Sequence, residues 1–283
     1  MSEERLLSLG YEIQHIQGVK VILRPLVLIP GGSFLLGSNP ATDLESLSDE
    51  RPQHQIMVQE FFLAKYPVTV AEYQCAVDAG AVSVPEPQVF AYAPGETGPG
   101  FHQPTILTWE EQQAHPDFPV RALKNWVEAY RYTQWLAALT GQSWRLPTEA
   151  EWERAAKGTD TRRYPWGNAW DPERVQSRWG QRGIWGGGPI GTHPGGASPY
   201  GIEDLAGNVS EWTSSLYRAY PYDPWDGRED PHMPEEYVVS RGGSWLSGPS
   251  EMRTTARDDE GNWVNGGFRL ACSLVGDHIG WSL

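Results

Sequence analysis

Arg241-Gly-Gly-Ser-Trp245, followed further on by Gly266-Gly-Phe-Arg-Leu270, decides how the rest of the chain is read. Val238 and Val239 are β-branched and lead into Arg241, which reads as a strand. The two glycines after it let the backbone pass close to something bulky. Gly267 to Cys272 reads as one returning strand, with apolar Phe268, Leu270 and Cys272 alternating against Arg269 and Ala271. Between the two lie Pro249, Arg253 and Arg257 at even four-residue spacing, with small or polar residues in the gaps. Such a segment is either a fixed frame carrying a displayed insert or an ordinary surface loop joining two strands.

The 283 residues suffice for one large domain or two small ones around a sizeable core. With 39% hydrophobic and 20% charged residues the chain is globular and not disordered. Fourteen Trp, 31 Gly and 23 Pro predict many turns and irregular loops held together by large rings. A formal net charge of −14 argues against nucleic acid or an anionic membrane surface as partner. No apolar run is long enough to span a bilayer. Met1-Ser-Glu-Glu-Arg5 is not a basic segment followed by an apolar one, so a cytoplasmic protein without a signal peptide is expected. Cys75 and Cys272 are the only cysteines and read as buried thiols; a Cys/His metal cluster is excluded by their number.

Residues 1–25 read as a lead-in with alternating Val19, Val21 and Leu23, and residues 26–283 as a single domain. Val27 to Leu36 is a strand with a turn at Gly31-Gly32, residues 39–54 are a polar loop, and Ile56 to Ala64 is a second strand. Thr69 and Glu72 form a capping box for a helix with Val70, Tyr73 and Val77 on one stripe, stopped at Gly80. Residues 81–118 read as a long loop pinned by Phe90, Tyr92, Phe101 and Trp109. A helix from Asn125 to Leu139 carries Trp126, Ala129, Tyr130, Thr133, Leu136 and Ala137 on one face, and Gly141 stops it. Thr148 and Glu151 cap a further helix with Trp152, Ala155 and Ala156 inward; from Gly167 to about residue 200 the chain is almost all loop.

Leu26-Val-Leu-Ile-Pro-Gly-Gly-Ser-Phe-Leu-Leu-Gly37, Lys65-Tyr-Pro-Val-Thr-Val-Ala-Glu-Tyr73, Arg145-Leu-Pro-Thr-Glu-Ala-Glu-Trp152, Tyr164-Pro-Trp-Gly167, Asp204-Leu-Ala-Gly-Asn-Val-Ser-Glu-Trp212, Arg241-Gly-Gly-Ser-Trp245 and Gly267-Phe-Arg269 occur in that order. From residue 26 to about 274 the chain therefore resembles the formylglycine-generating enzyme, or sulfatase-modifying factor, family. The resemblance implies an α+β, C-type-lectin-like fold in a loop-rich single domain. The family's oxidases hold a copper ion between two cysteine thiolates shortly after the Gly-Gly-Ser-aromatic motif. Here Ser247 stands where the first thiolate would sit, and Leu246 to Arg253 contains no cysteine. A serine hydroxyl is a hard, protonated and weak copper(I) ligand, so no copper is expected. Relatives that oxidise histidine betaine take iron from an extra helical domain with clustered histidines, and these residues contain no such domain.

What remains resembles a ligand-binding branch that includes variable proteins diversified by retroelements. That likeness implies a non-catalytic protein displaying residues 246–266 to a protein or peptide ligand. Leu246, Ser247, Ser250, Glu251, Thr254, Asp258, Asp259, Trp263 and Asn265 would project outward, with Trp263 as aromatic anchor. Arg241, Trp245, Arg253, Arg257, Phe268 and Arg269 would be the frame. The residues leave hypervariability open: Asn262 and Asn265 are compatible with adenine replacement at asparagine codons, whereas Glu251, Met252 and Trp263 would be template-encoded. Asp204, Gly207, Val209 and Glu211 match the family's positions for a structural calcium ion, a hard cation suited to carboxylates and carbonyls. A second family calcium site wants an asparagine where Ser177 and Arg178 stand. The same carboxylates could instead pair with buried arginines such as Arg145 or Arg269. An oxidase or modifying enzyme with an atypical site, and a regulatory pseudoenzyme subunit, are the alternative functions.

Overall fold

The computed structural model describes residues 2–90, 105–179, 187–230, 237–259 and 265–274. The chain starts with α1 (Ser2–Ser8) and a hairpin of β1 (Glu12–Ile16) and β2 (Val19–Leu23). This is more than a lead-in: Leu6, Tyr11, Val21 and Ile22 are buried. Arg24, also buried, meets the Glu72 carboxylate at 3.1 Å and the Tyr132 hydroxyl at 3.0 Å. The expected boundary at residue 25 therefore falls inside the packed body.

Two further expected strands divide. The strand expected from Val27 to Leu36 becomes β3 (Leu26–Ile29) and β4 (Gly32–Leu36), and the one expected from Ile56 to Ala64 becomes β5 (His54–Val58) and β6 (Phe61–Ala64). β3 pairs with β6 and β4 with β5, so one hairpin crosses from one sheet to another. The crossing is tight, since a Cβ on Gly31 would stand 2.9 Å from the Glu60 nitrogen.

α2 (Val70–Asp78) begins as expected: Thr69 Oγ1 accepts from Glu72 N, and Glu72 bonds back to Thr69 N at 2.7 Å. Inside the expected long loop lie β7 (Gln88–Phe90), β8 (Thr105–Leu107) and α3 (Trp109–Gln113); Tyr92 and Phe101 fall outside the described residues. α4 (Trp126–Thr140) is capped by Asn125 and ends at Gly141 with φ +71°. Its buried side holds Tyr132 in place of the expected Tyr130 and Ala137, because Arg24 and Phe268 both pack on that ring.

β9 (Trp144–Arg145) leads into α5 (Glu149–Lys157), every residue of which is buried. The rest comprises β10 (Ser210–Leu216), β11 (Val238–Arg241), β12 (Arg257–Asp258), β13 (Gly266–Phe268) and β14 (Ala271–Ser273). One sheet runs β12-β11-β10-β13, with β13 parallel to β10, and the other β3-β6-β14-β9. The single returning strand expected from Gly267 to Cys272 is thus two short strands in two sheets, with Arg269 at the step between them. Tyr73, Trp109, Trp126, Tyr132, Trp144, Trp212 and Phe268 share the largest apolar cluster, while Trp152 of α5 packs with Ile29, Phe61, Leu63, Ile202 and Leu205. Among the described residues no helix is long and apolar enough to cross a membrane.

Candidate functional site

The Arg241–Trp245 stretch is built on buried charge pairs. Gly242 (φ +85°) brings the backbone so close that a Cβ there would lie 2.7 Å from the Leu205 carbonyl and 3.1 Å from the Trp152 ring. Arg241 at the end of β11 donates to Glu149 Oε1 and Glu153 Oε2 of α5, both at 2.8 Å, and to the Ala256 carbonyl at 3.0 Å. Arg257 reaches the other Glu149 oxygen at 3.0 Å and stacks over Tyr217 and Tyr220. Arg253 forks onto Glu50 at 2.6 and 2.7 Å and also meets Asp43 at 2.7 Å. Arg269 forks onto Glu211 with both bonds at 2.6 Å and caps the carbonyls of Ala64 and Glu203. A buried ion costs several kcal/mol to desolvate, so it persists only with a close partner and satisfied donors. Burial pushes the Glu153 carboxyl up, but Lys157 and Arg241 outweigh it and hold the group below its ordinary range.

The loop carried by this frame closes on itself. Ser247 N bonds to the Ser244 carbonyl at 3.0 Å and Ser247 Oγ accepts from Ser244 N at 3.0 Å. The next turn repeats the device: Glu251 N meets the Gly248 carbonyl and the Glu251 carboxylate accepts from Gly248 N. Trp245 and Met252 are buried; Leu246 and Ser247 are half-buried, and Ser250, Glu251, Asp258 and Asp259 are exposed.

Two residues expected to project do not. Thr254 is 1% exposed, and its N and Oγ1 donate to the carbonyls of Arg163 and Arg162. Asn265 is 2% exposed, and its carbonyl accepts from Ser210 N where β10 and β13 begin to pair. Both serve backbone groups that would otherwise be buried without partners. Trp263 and Asn262 lie outside the described residues. Sequence reasoning missed Trp179: it is 53% exposed, next to Arg178, whose N bonds to the Trp245 carbonyl at 2.8 Å. The tryptophan in the Gly-rich stretch from Ser177 was the available signal.

Neither cysteine is near a partner thiol. Cys75 sits in α2 and Cys272 in β14, in separate apolar clusters, and burial pushes the Cys75 thiol up to about 11. Around Asp204, Gly207, Val209 and Glu211 the geometry favours an arginine over a calcium ion. Both Glu211 oxygens bond to Arg269, and one also accepts from Trp152 Nε1 at 2.7 Å. Asp204, in left-handed backbone at φ +57°, accepts from Gly191 N at 2.8 Å; burial raises its carboxyl to about 6. Among the described residues no group of three or more His, Cys, Asp or Glu is placed to hold a metal ion. With the Glu211 charge already neutralised, this donor set as arranged does not fit a divalent cation.

Helices packed against two four-stranded sheets and three two-stranded pairs, with long loops between, define a C-type-lectin-like α+β domain of the formylglycine-generating-enzyme type. The sulfatase-modifying factor enzyme 1-like domain matches residues 16–274, and the chain belongs to that family. It is 34% identical over 271 residues to the hercynine oxygenase of Mycolicibacterium smegmatis, covering 87% of this chain but 60% of that protein. The formylglycine-generating enzyme of Thermomonospora curvata is 30% identical over 300 residues, covering 88% of this chain and 94% of the enzyme. Among solved structures, Treponema denticola variable protein 1 shares the fold with a TM-score of 0.66 at 19% identity, over 93% of this chain and 99% of that one.

Proposed function

We propose that this chain is a ligand-binding member of the family, presenting Leu246, Ser247, Ser250, Glu251, Asp258 and Asp259 to a protein or peptide. One observation carries the reading: between Arg241 and Asp259 the three arginines are buried and committed to carboxylates, while Leu246 and Ser247 are half-buried and Ser250, Glu251, Asp258 and Asp259 are exposed. That division lets side chains on the face change without disturbing the fold. Likeness in fold to a variable protein supports the same reading. Glu251, Asp258 and Asp259 make the face acidic, which suits a partner bearing Lys or Arg and would speed its encounter. The ligand would be met in the cytoplasm, which fractionation of the native protein tests. The decisive experiment is a paired alanine scan of melting temperature and of affinity for a captured partner. Face variants should lose affinity at unchanged stability; a face variant that unfolds the domain would sink the proposal.

The identity to hercynine oxygenase and formylglycine-generating enzyme favours a second reading, in which the chain supplies the scaffold of an oxidising enzyme whose metal ligands come from elsewhere. Tight copper(I) or iron(II) binding by this chain would favour it over the first.

A further inference from the structure

Two buried arginines meet no carboxylate among the described residues: Arg154, whose guanidinium donates to the Gly158 and Pro30 carbonyls, and Arg121, whose guanidinium has no such acceptor. Arg121 is 7% exposed, and its Nη1 is buried without any hydrogen-bond partner. Its surroundings are built rather than loose. Gln112 of α3 clamps its backbone on both sides, accepting from Arg121 N at 3.0 Å and donating to its carbonyl at 3.1 Å. The following Ala122 is held fully buried in left-handed backbone at φ +59°, a conformation that costs a residue with a Cβ. Gly187 lets the backbone pass close beside the guanidinium: a Cβ there would stand 2.9 Å from Asn208 Oδ1 and 3.4 Å from Arg121 Nη1. Asn208 in turn fixes Gly188 through both ends of its amide and accepts from Trp245 N at 3.1 Å, tying this spot to the root of the displayed loop. Asn265 adds a second buried polar atom without a partner, Oδ1. It lies two residues before Gly267, whose Cβ would stand 2.9 Å from the Val120 carbonyl.

The geometry points to a carboxylate-binding subsite at Arg121, beside Gly187 and Asn208. A guanidinium forks naturally onto a carboxylate. One buried positive charge balances one negative charge, so a monoanionic carboxylate is compensated there and a phosphate dianion is not. Burial alone pulls the Arg121 guanidinium down to about 10, whereas Arg241, buried as deeply, is raised by Tyr220, Glu149 and Glu153, and Arg253 by Glu50 and Asp43. Arg121 is thus the arginine whose pairing is left to a ligand. The inference rests on this side chain and not on the 246–259 face, so either can fail alone.

The test is thermal melting and calorimetric titration of the full chain at fixed ionic strength. The probes are N-acetylglycine for a terminal carboxylate, N-acetylglutamate amide for a side-chain one, and as controls N-acetylglycinamide and inorganic phosphate at a pH above its second ionisation, where it is the dianion. A carboxylate should raise the parent's Tm in proportion to the logarithm of its concentration above Kd, and the controls should not. Arg121→Met should abolish the response and, without carboxylate, melt no lower than the parent, because it removes an uncompensated buried charge. Arg121→Lys should bind about tenfold more weakly, since an ammonium lacks the fork. The inference is overturned if no carboxylate shifts the parent, or if Arg121→Met keeps the response. It is equally overturned if that variant melts well below the parent or fails to fold, since the guanidinium would then have a structural partner.

Discussion

Glu251 and Arg253 are separated by one buried methionine, and they belong to different parts of the molecule. Arg253 is enclosed, forked onto Glu50 from the far end of the chain; Glu251 stands in solvent and bonds only within its own turn. The contrast shows how one segment serves as both scaffold and surface. Long-range charge pairs at Arg241, Arg253 and Arg257 fix the path of the backbone, and the turns at Ser244–Ser247 and Gly248–Glu251 close locally.

Removing one side of a pair should break the scaffold most severely. Arg241→Met leaves Glu149 and Glu153 as neighbouring buried carboxylates and should cost about 3–5 kcal/mol. A denaturant titration finding the variant as stable as the parent would contradict the scaffold role. The same cluster should make the protein acid-sensitive. Glu153 is held below its ordinary 4.5, so its contribution is present above that value and lost as pH falls through the lower folded-state value. Melting temperature should therefore drop on acidification, and less steeply in Glu153→Gln; equal slopes would remove Glu153 from the account.

Thr254→Val tests whether a residue once expected on the face belongs to the scaffold. It deletes one buried hydrogen bond to the Arg162 carbonyl and should cost about 1 kcal/mol. A neutral result would return Thr254 to the surface. Ser250→Ala and Asp259→Ala should change stability by no more than about 0.5 kcal/mol in the same titration. Smallest of all is the effect of chelator: because Arg269 already neutralises Glu211, excess EDTA should leave the melt unchanged. A fall, together with calcium found by elemental analysis, would restore the cation site.

Much of this was legible locally. The Thr69–Glu72 and Thr148–Glu151 boxes and the Asn125 and Gly141 caps follow from hydrogen bonds spanning a few residues, and each stands where the sequence put it. The arginine spacing announced a frame, yet only Glu211 of its carboxylates was anticipated, since Glu149 and Glu153 lie 92 and 88 residues from Arg241 and Glu50 lies 203 from Arg253, in charge-rich stretches with no pattern of their own. The strand breaks near Gln59-Glu60 and at Arg269 were hidden for a related reason: alternation reports which side faces the core but not which sheet the next residue joins. Thr254 and Asn265 look like surface residues by type, and only the covering segment at 162–163 and the β10–β13 junction bury them.

The enclosure of α5 has a consequence for how the molecule opens. A helix on a surface can fray while the rest stays folded, but this one is covered on every side by strands and loops drawn from both ends of the chain. Its amides reach water only when those strands separate, so they should exchange with deuterium at the rate of global unfolding, far more slowly than those of α1. Exchange of α5 faster than the global rate would mean that the sheets part around it as independent units.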